Sequence, residues 1–254
     1  ARPPAVLLAC ACPRRHCDPP LFPSPPPSRL APAVARGHGG HPLTSGNAPT
    51  ADRMARDLQN LLDHYHLDQA VVVGHSMGAL TLWQYLRDFG ERRLSRLVFI
   101  DQSPRLVTGE GWQGGIYGDF GTERSAAFMD ELRQDFAEAV LRLVAFGHNP
   151  RARELYQQNG PGIQLARERL RALDPQPLID CWASLTAADY RDVLARITIP
   201  ALLVYGGASN FYSAGTARYV RDSIPNALLH TYPGVDQKAL DDVSIDIGAG
   251  EVHA

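Results

Sequence analysis

Residues 70–78 read Ala70-Val71-Val72-Val73-Gly74-His75-Ser76-Met77-Gly78, and Ala79-Leu80-Thr81-Leu82-Trp83-Gln84-Tyr85-Leu86-Arg87-Asp88-Phe89-Gly90 follow directly. A β-branched run, a serine framed by two glycines, and a helical pattern stopped by glycine predict a strand, a tight turn and a helix. In that context G-x-S-x-G reads as a nucleophile elbow. The turn must be sharp and strained for the Ser76 hydroxyl to stand clear of the sheet. Side chains at Gly74 or Gly78 would crowd the neighbouring elements. The N–H of Met77, at a helix N-terminus, would then face a developing oxyanion. The plainer alternative is a βα turn in which Ser76 is only a helix cap. His75, inside the elbow, is expected to pack or support the loop.

The surrounding text extends the pattern. Thr50 or Asp52 is predicted to open a helix whose apolar positions Met54, Leu58, Leu61, Leu62 and Tyr65 keep a 3.6-residue period. Strands are predicted at 70–73 and Leu97–Ile100. The sheet is expected to resume at Ile197–Pro200 and Ala201–Gly207, with a helix near 214–223 and a strand near 227–232. Nearly all-apolar strands alternating with helices imply a parallel sheet covered on both faces. Between about 105 and 188 the alternation stops. Gly109–Gly115 reads as a flexible loop, and helices are predicted near 122–147, 150–158, 162–173 and 176–186. The fold class is thus α/β, a mostly parallel sheet flanked by helices, with an inserted helical lid. The expected division is an irregular Pro-rich segment at 1–35, a core at 36–104 and 189–254, and a cap at 105–188.

Composition excludes several classes. The chain has 254 residues, 25 Lys and Arg against 27 Asp and Glu, and a net charge of −2, so it offers no basic field for nucleic acid. No apolar run is long enough to span a membrane, and a soluble, cytoplasmic protein is expected. Twelve of the twenty prolines lie in the first fifty residues, which opposes helix and central strand there. Only Ala5–Ala9 reads as a strand in that segment. Cys10, Cys12, Cys17 and His16 lack the spacing of a zinc site, and no metal or cofactor is expected.

Four blocks now stand in one order: Arg36-Gly37-His38-Gly39, Gly74–Gly78, Asp101-Gln102-Ser103-Pro104, and Asp189–Gly206. Together they resemble the α/β-hydrolase superfamily over about residues 36–240. The likeness is greatest to small serine esterases and cofactor-free haloperoxidase-like members with a helical cap. The resemblance implies a Ser–His–acid triad and acyl transfer through a covalent acyl-enzyme, acting on a small-molecule ester. Ser76 is the implied nucleophile. The acid is either Asp101, at the end of a sheet strand, or lies in the loop at Ala208-Ser209-Asn210, where many members carry Asp. Serine cannot hold an imidazolium by charge, so Asp101 is the expected acid, its plainer role being a loop-capping carboxylate.

The implied histidine is missing. Where similar proteins carry Gly-x-Asp-His, this chain has Gly234-Val235-Asp236-Gln237, and an amide cannot serve as general base. His38, His41, His64, His66, His230 and His253 are weak substitutes. The second oxyanion donor of the family comes from a glycine loop after an early strand, replaced here by Cys10-Ala11-Cys12-Pro13. Two readings therefore stand. One is a serine hydrolase of carboxylic esters, with aromatic residues of the insertion (Trp112, Tyr117, Phe120, Phe128, Phe136 and Trp182) lining an acyl pocket. The other is a catalytically impaired hydrolase-fold protein or ligand-binding module. Perhydrolase and C–C hydrolase activities share the fold and triad; a dehalogenase would need a carboxylate at 76.

Overall fold

The structure is a computed structural model that describes residues 6–10, 30–34, 48–235, 246–247 and 252–253, with side chains described from 48 to 235. Six strands form one parallel sheet in the order β2-β1-β3-β4-β5-β6. They are β1 (Val6–Cys10), β2 (Leu30–Val34), β3 (Ala70–His75), β4 (Leu94–Ile100), β5 (Ala201–Gly206) and β6 (Ala227–Tyr232). The order reverses between β1 and β3, and such a switch point is where α/β sheets commonly bind ligands.

Side chains alternate across the sheet as a strand period of two requires. Val72, Leu97, Phe99 and Leu203 enter the larger apolar core, while Val73, Val98, Ile100, Leu202 and Val204 form a smaller one on the opposite face. Helix α1 (Ala51–His64) and helix α2 (Met77–Phe89) pack against each other and join the larger core. Helix α2 is buried almost all round. Trp83 is fully enclosed and stacks on Phe99 of β4 at 5.1 Å. Gly90 ends α2 with φ +72° and ψ −168°, an extended positive-φ conformation that is open essentially to glycine alone.

Five helices lie between β4 and β5: α3 (Thr122–Gln134), α4 (Phe136–Ala145), α5 (Pro150–Gln158), α6 (Pro161–Arg171) and α7 (Gln176–Ala187). A single turn, α8 (Arg191–Leu194), leads back to the sheet, and α9 (Ala214–Ser223) joins β5 to β6. The short strands β7 (Asp246–Ile247) and β8 (Val252–His253) pair antiparallel. Among the described residues, no helix is long and apolar enough to cross a membrane.

Several expectations are corrected. The span 30–34, expected to be irregular, is strand β2; it tolerates Pro32 because it stands at the sheet edge. The helix expected over 122–147 breaks at Asp135, whose extended backbone and side chain cap α4 by accepting the Glu138 N–H at 3.1 Å. Ile197–Pro200 is not strand. There the Thr198 N–H donates to Glu91 at 2.9 Å, and β5 begins only at Ala201. Tyr65 lies past the end of α1 and is exposed. The Gly109–Gly115 loop is tied down rather than loose, since Gly109 and Trp112 exchange backbone hydrogen bonds of 3.0 and 2.9 Å.

Candidate active site

Ser76 sits between β3 and α2 with φ 51° and ψ −115°, a conformation that L side chains rarely adopt. Such a backbone costs on the order of 1–3 kcal/mol and persists only where its surroundings hold it. Two features do so here. The Ser76 N–H donates to the Ile100 carbonyl of β4 at 3.1 Å, extending the sheet into the turn, while its own carbonyl accepts from Ala79 at 2.9 Å. Gly74 then lets α2 start directly against the strand, because a Cβ there would lie 2.6 Å from the Gly78 carbonyl oxygen. Ser76 is half-buried. Met77 opens α2, so its N–H belongs to the helix-end donors that have no carbonyl partner within the helix.

Strand, strained serine and helix thus follow one another directly, with the close approach at Gly74. The Met77 side chain is also partly buried, and Cys181 of α7 lies 3.7 Å from its sulfur. Burial pushes the Cys181 thiol up to about 12, so it stays protonated and packs as a small apolar group.

Asp101 follows β4 directly, and Ser76 follows β3. Since His75 and Ile100 are register partners, the two residues emerge side by side at the same end of adjacent strands. Asp101 is fully buried and also has positive φ, 44°. Its N–H donates to the Val204 carbonyl of β5 at 2.8 Å. Its Oδ2 accepts from the Ser209 hydroxyl at 2.9 Å. The two places weighed from sequence for an acid are therefore in direct contact. Asn210 serves the insertion instead. Its side chain accepts from the Asn149 N–H at 2.9 Å and donates to the Val144 carbonyl at 2.7 Å, tying the end of α4 and the loop after it to the loop that follows β5.

Beside Asp101, Gln102 Oε1 accepts from the Tyr212 hydroxyl and from the Ser103 N–H, and its backbone carbonyl accepts from the Tyr205 hydroxyl. Burial, and then the nearby Asp101 charge, raise both phenols well above their ordinary range, so they remain donors. Sequence reading missed this network; its only local trace is one tyrosine at the end of β5 and a serine and a second tyrosine in the loop after Gly206.

The remaining expected residues scatter. His75 ends β3 and is half-buried; His64 and His66 are exposed at and beyond the end of α1. His230 lies within β6, its ring 4.5 Å from Tyr232. His38, His41, Gln237, the side chain of His253 and the segment Ala11–Pro13 lie outside the described residues. Of the aromatic residues expected around a pocket, Phe120, Phe128 and Trp182 form one edge-to-face cluster with centroids 5.4–6.3 Å apart. Tyr117 stacks on Phe211 instead, and Phe136 packs partly buried against the core. Trp112 lies against Tyr219 of α9, with its indole N–H donated to the Arg105 carbonyl at 2.9 Å. A cleft of about 530 Å³, lined by Arg105, Val107, Ser125, Met129, Thr186 and Asp189 among others, lies at the base of the insertion. Ser76 and Asp101 are not among its walls. Among the described residues no cluster of His, Cys, Asp and Glu could hold a metal ion.

Comparison with known proteins fits this geometry. The chain is 30% identical to the pimeloyl-[acyl-carrier protein] methyl ester esterase of Chromobacterium violaceum over 197 residues, 78% of this chain and 72% of that protein. It is 27% identical to a putative non-heme chloroperoxidase of a Synechocystis species over 193 residues, 72% of this chain and 65% of that one. Among solved structures, an esterase from Exiguobacterium antarcticum superposes with a TM-score of 0.73 at 17% identity, covering 94% of this chain and 87% of that one. A family model described as the alpha/beta hydrolase fold matches residues 24–242. With that match, and with a serine held on a strained strand–helix turn at the open end of a parallel sheet, the chain belongs to the α/β-hydrolase fold family.

Proposed function

We propose that this chain is a serine hydrolase that cleaves carboxylic esters of small molecules through an acyl-enzyme on Ser76. The observation that carries the reading is the backbone of Ser76, held at positive φ between a buried strand and a buried helix. Strain of that kind is retained where it presents a group. In the proposed reaction Ser76 Oγ attacks the ester carbonyl carbon and the Met77 N–H donates to the resulting oxyanion. The alcohol then departs and water releases the acid. A general base would take the Ser76 proton and return it to the departing alcohol, and Asp101 would orient that base. In this reading the insertion acts as a cap, with Phe120, Phe128 and Trp182 packed edge-to-face as part of its apolar interior. The relative from Chromobacterium violaceum is by name an esterase, in keeping with this class of reaction.

One observation favours a second reading, that of a binding module or impaired hydrolase: Gln237 stands where similar proteins carry the base. A fluorophosphonate probe with p-nitrophenyl esters separates the two. The first reading expects Ser76-dependent labelling, abolished in Ser76→Ala, together with ester turnover. Folded protein that neither labels nor turns over refutes it. Under the second reading Gln237→His raises the labelling rate by about 10²–10⁴, the usual contribution of a positioned base.

A further inference from the structure

We propose that Ser209 is a positioning residue for the Asp101 carboxylate: the loop after β5 supplies a hydrogen bond to an acid carried on the neighbouring strand. The inference rests on the reading of Asp101 as the acid partner of Ser76.

The argument begins with register. Ile100 and Val204 are paired across β4 and β5, and the Asp101 N–H continues that ladder to the Val204 carbonyl. The chain turns after Gly206, with the Ser209 N–H donating to the Gly206 carbonyl at 3.2 Å, which returns Ser209 to the end of β4. Its hydroxyl then donates to Asp101 Oδ2 at 2.9 Å across 108 positions of sequence.

The direction of that bond follows from the other partners. Ser209 Oγ faces the amide N–H groups of Tyr212 at 3.3 Å and Phe211 at 3.4 Å. Both are donors and occupy its lone pairs, while the carboxylate can only accept. The single hydroxyl proton therefore points at Asp101. Two backbone N–H groups thus lock the rotor, and the hydroxyl proton holds one oxygen of the carboxylate in place.

Burial raises the stakes. Asp101 is fully buried and Ser209 is 6% exposed, so water does not compete readily for the carboxylate oxygen. A hydrogen bond to an ionised acceptor is stronger than a neutral pair, and stronger still where the dielectric is low. Gln102, locked by Tyr212 and Ser103, and Tyr205 on the Gln102 carbonyl build the adjoining wall. The same loop residue, Tyr212, therefore braces both Ser209 and Gln102. The acid is held from β5 and its loop as well as from its own strand.

The test is a double-mutant cycle read by the rate of fluorophosphonate labelling of Ser76, with circular dichroism confirming the fold. Ser209→Ala is expected to lower the rate about 10-fold, the scale of one hydrogen bond to a charged group. Ser209→Thr, which keeps the hydroxyl, restores most of it; Ser209→Cys, nearly isosteric with a weak donor, serves if the alanine variant does not fold. In an Asp101→Asn background the Ser209→Ala step is expected to cost nothing further, because residues acting as one unit are non-additive. A purely structural role predicts the same fold loss in both backgrounds, and that outcome overturns the inference. So does Ser209→Ala labelling within about twofold of the parent. Wild-type chain that does not label, or Asp101→Asn that labels like wild type, removes the underlying reading and the positioning role together.

Discussion

Replacing Gly74 with alanine tests the elbow at its tightest point. The added Cβ would lie 2.6 Å from the Gly78 oxygen, 2.7 Å from the Gly78 carbonyl carbon and 2.8 Å from the Ala79 nitrogen. All three are backbone atoms of the first turn of α2, so no side chain can swing aside. Reaching ordinary contact at 3.4 Å requires the helix start to retreat by 3.4 − 2.6 = 0.8 Å. Over-packing of this kind costs about 1–3 kcal/mol, and a rigid backbone obstacle places it at the upper end. At about 2–4 °C per kcal/mol for a domain of this size, the melting temperature should fall by roughly 6–12 °C. On the proposed mechanism the same retreat carries the Met77 N–H away from the oxyanion, and loss of one such donor lowers turnover by about 10²–10³. Differential scanning calorimetry and fluorophosphonate labelling measure the two effects. Gly90→Ala is the control: nothing lies within 4 Å of its Cβ, so only the cost of its positive-φ backbone remains, about 1–3 kcal/mol with labelling unchanged. If Gly74→Ala melts within about 2 °C of the parent and labels at the parental rate, the close approach of α2 to β3 is wrong and the elbow argument fails with it.

Two further perturbations probe the insertion. Asn210→Ala removes the side-chain hydrogen bonds to the last turn of α4 and to the loop after it, leaving the Val144 carbonyl and the Asn149 N–H without that partner. A loss of about 1–3 kcal/mol is expected, with faster hydrogen exchange confined to residues 144–149; unchanged exchange there would contradict the tie. Glu138 is held below its ordinary 4.5 by hydrogen bonds from Arg167 and Tyr156. A carboxylate depressed in the folded state stabilises it fully above the ordinary value, and that stabilisation disappears as pH falls through the folded value. Between pH 5 and lower pH the parent should therefore lose more stability than Glu138→Gln in urea melts; parallel losses would remove the role assigned to this pair.

The elements legible in sequence were those whose physics is local. Val71–Val73 followed by Gly74, Ser76 and Gly78 announces a strand breaking into a helix, because the apolar run, the glycines and the helical period all lie within twenty residues. Breaks set by one residue were harder to read. Asp135 splits a continuous helical pattern because its side chain caps the next helix, and Ile197–Pro200 has strand composition but is held by Glu91 from another part of the chain. Strand β2 was hidden by Pro32, which only an edge position accommodates, and edge position is a property of the assembled sheet.

The chemistry divides along the same line. The nucleophile candidate follows from one pentapeptide, whose glycine at 74 lets a helix start directly against a strand, although the Ile100 carbonyl of β4 also holds the strained turn. The surroundings of Asp101 do not. Its hydroxyl partner stands 108 residues away, and only the parallel register of β4 with β5 brings the two ends together in a buried site. Local sequence could thus determine which hydroxyl is presented, because backbone sterics act over a few residues. Pairing and burial act through space, so the folded sheet alone decided which group holds the carboxylate.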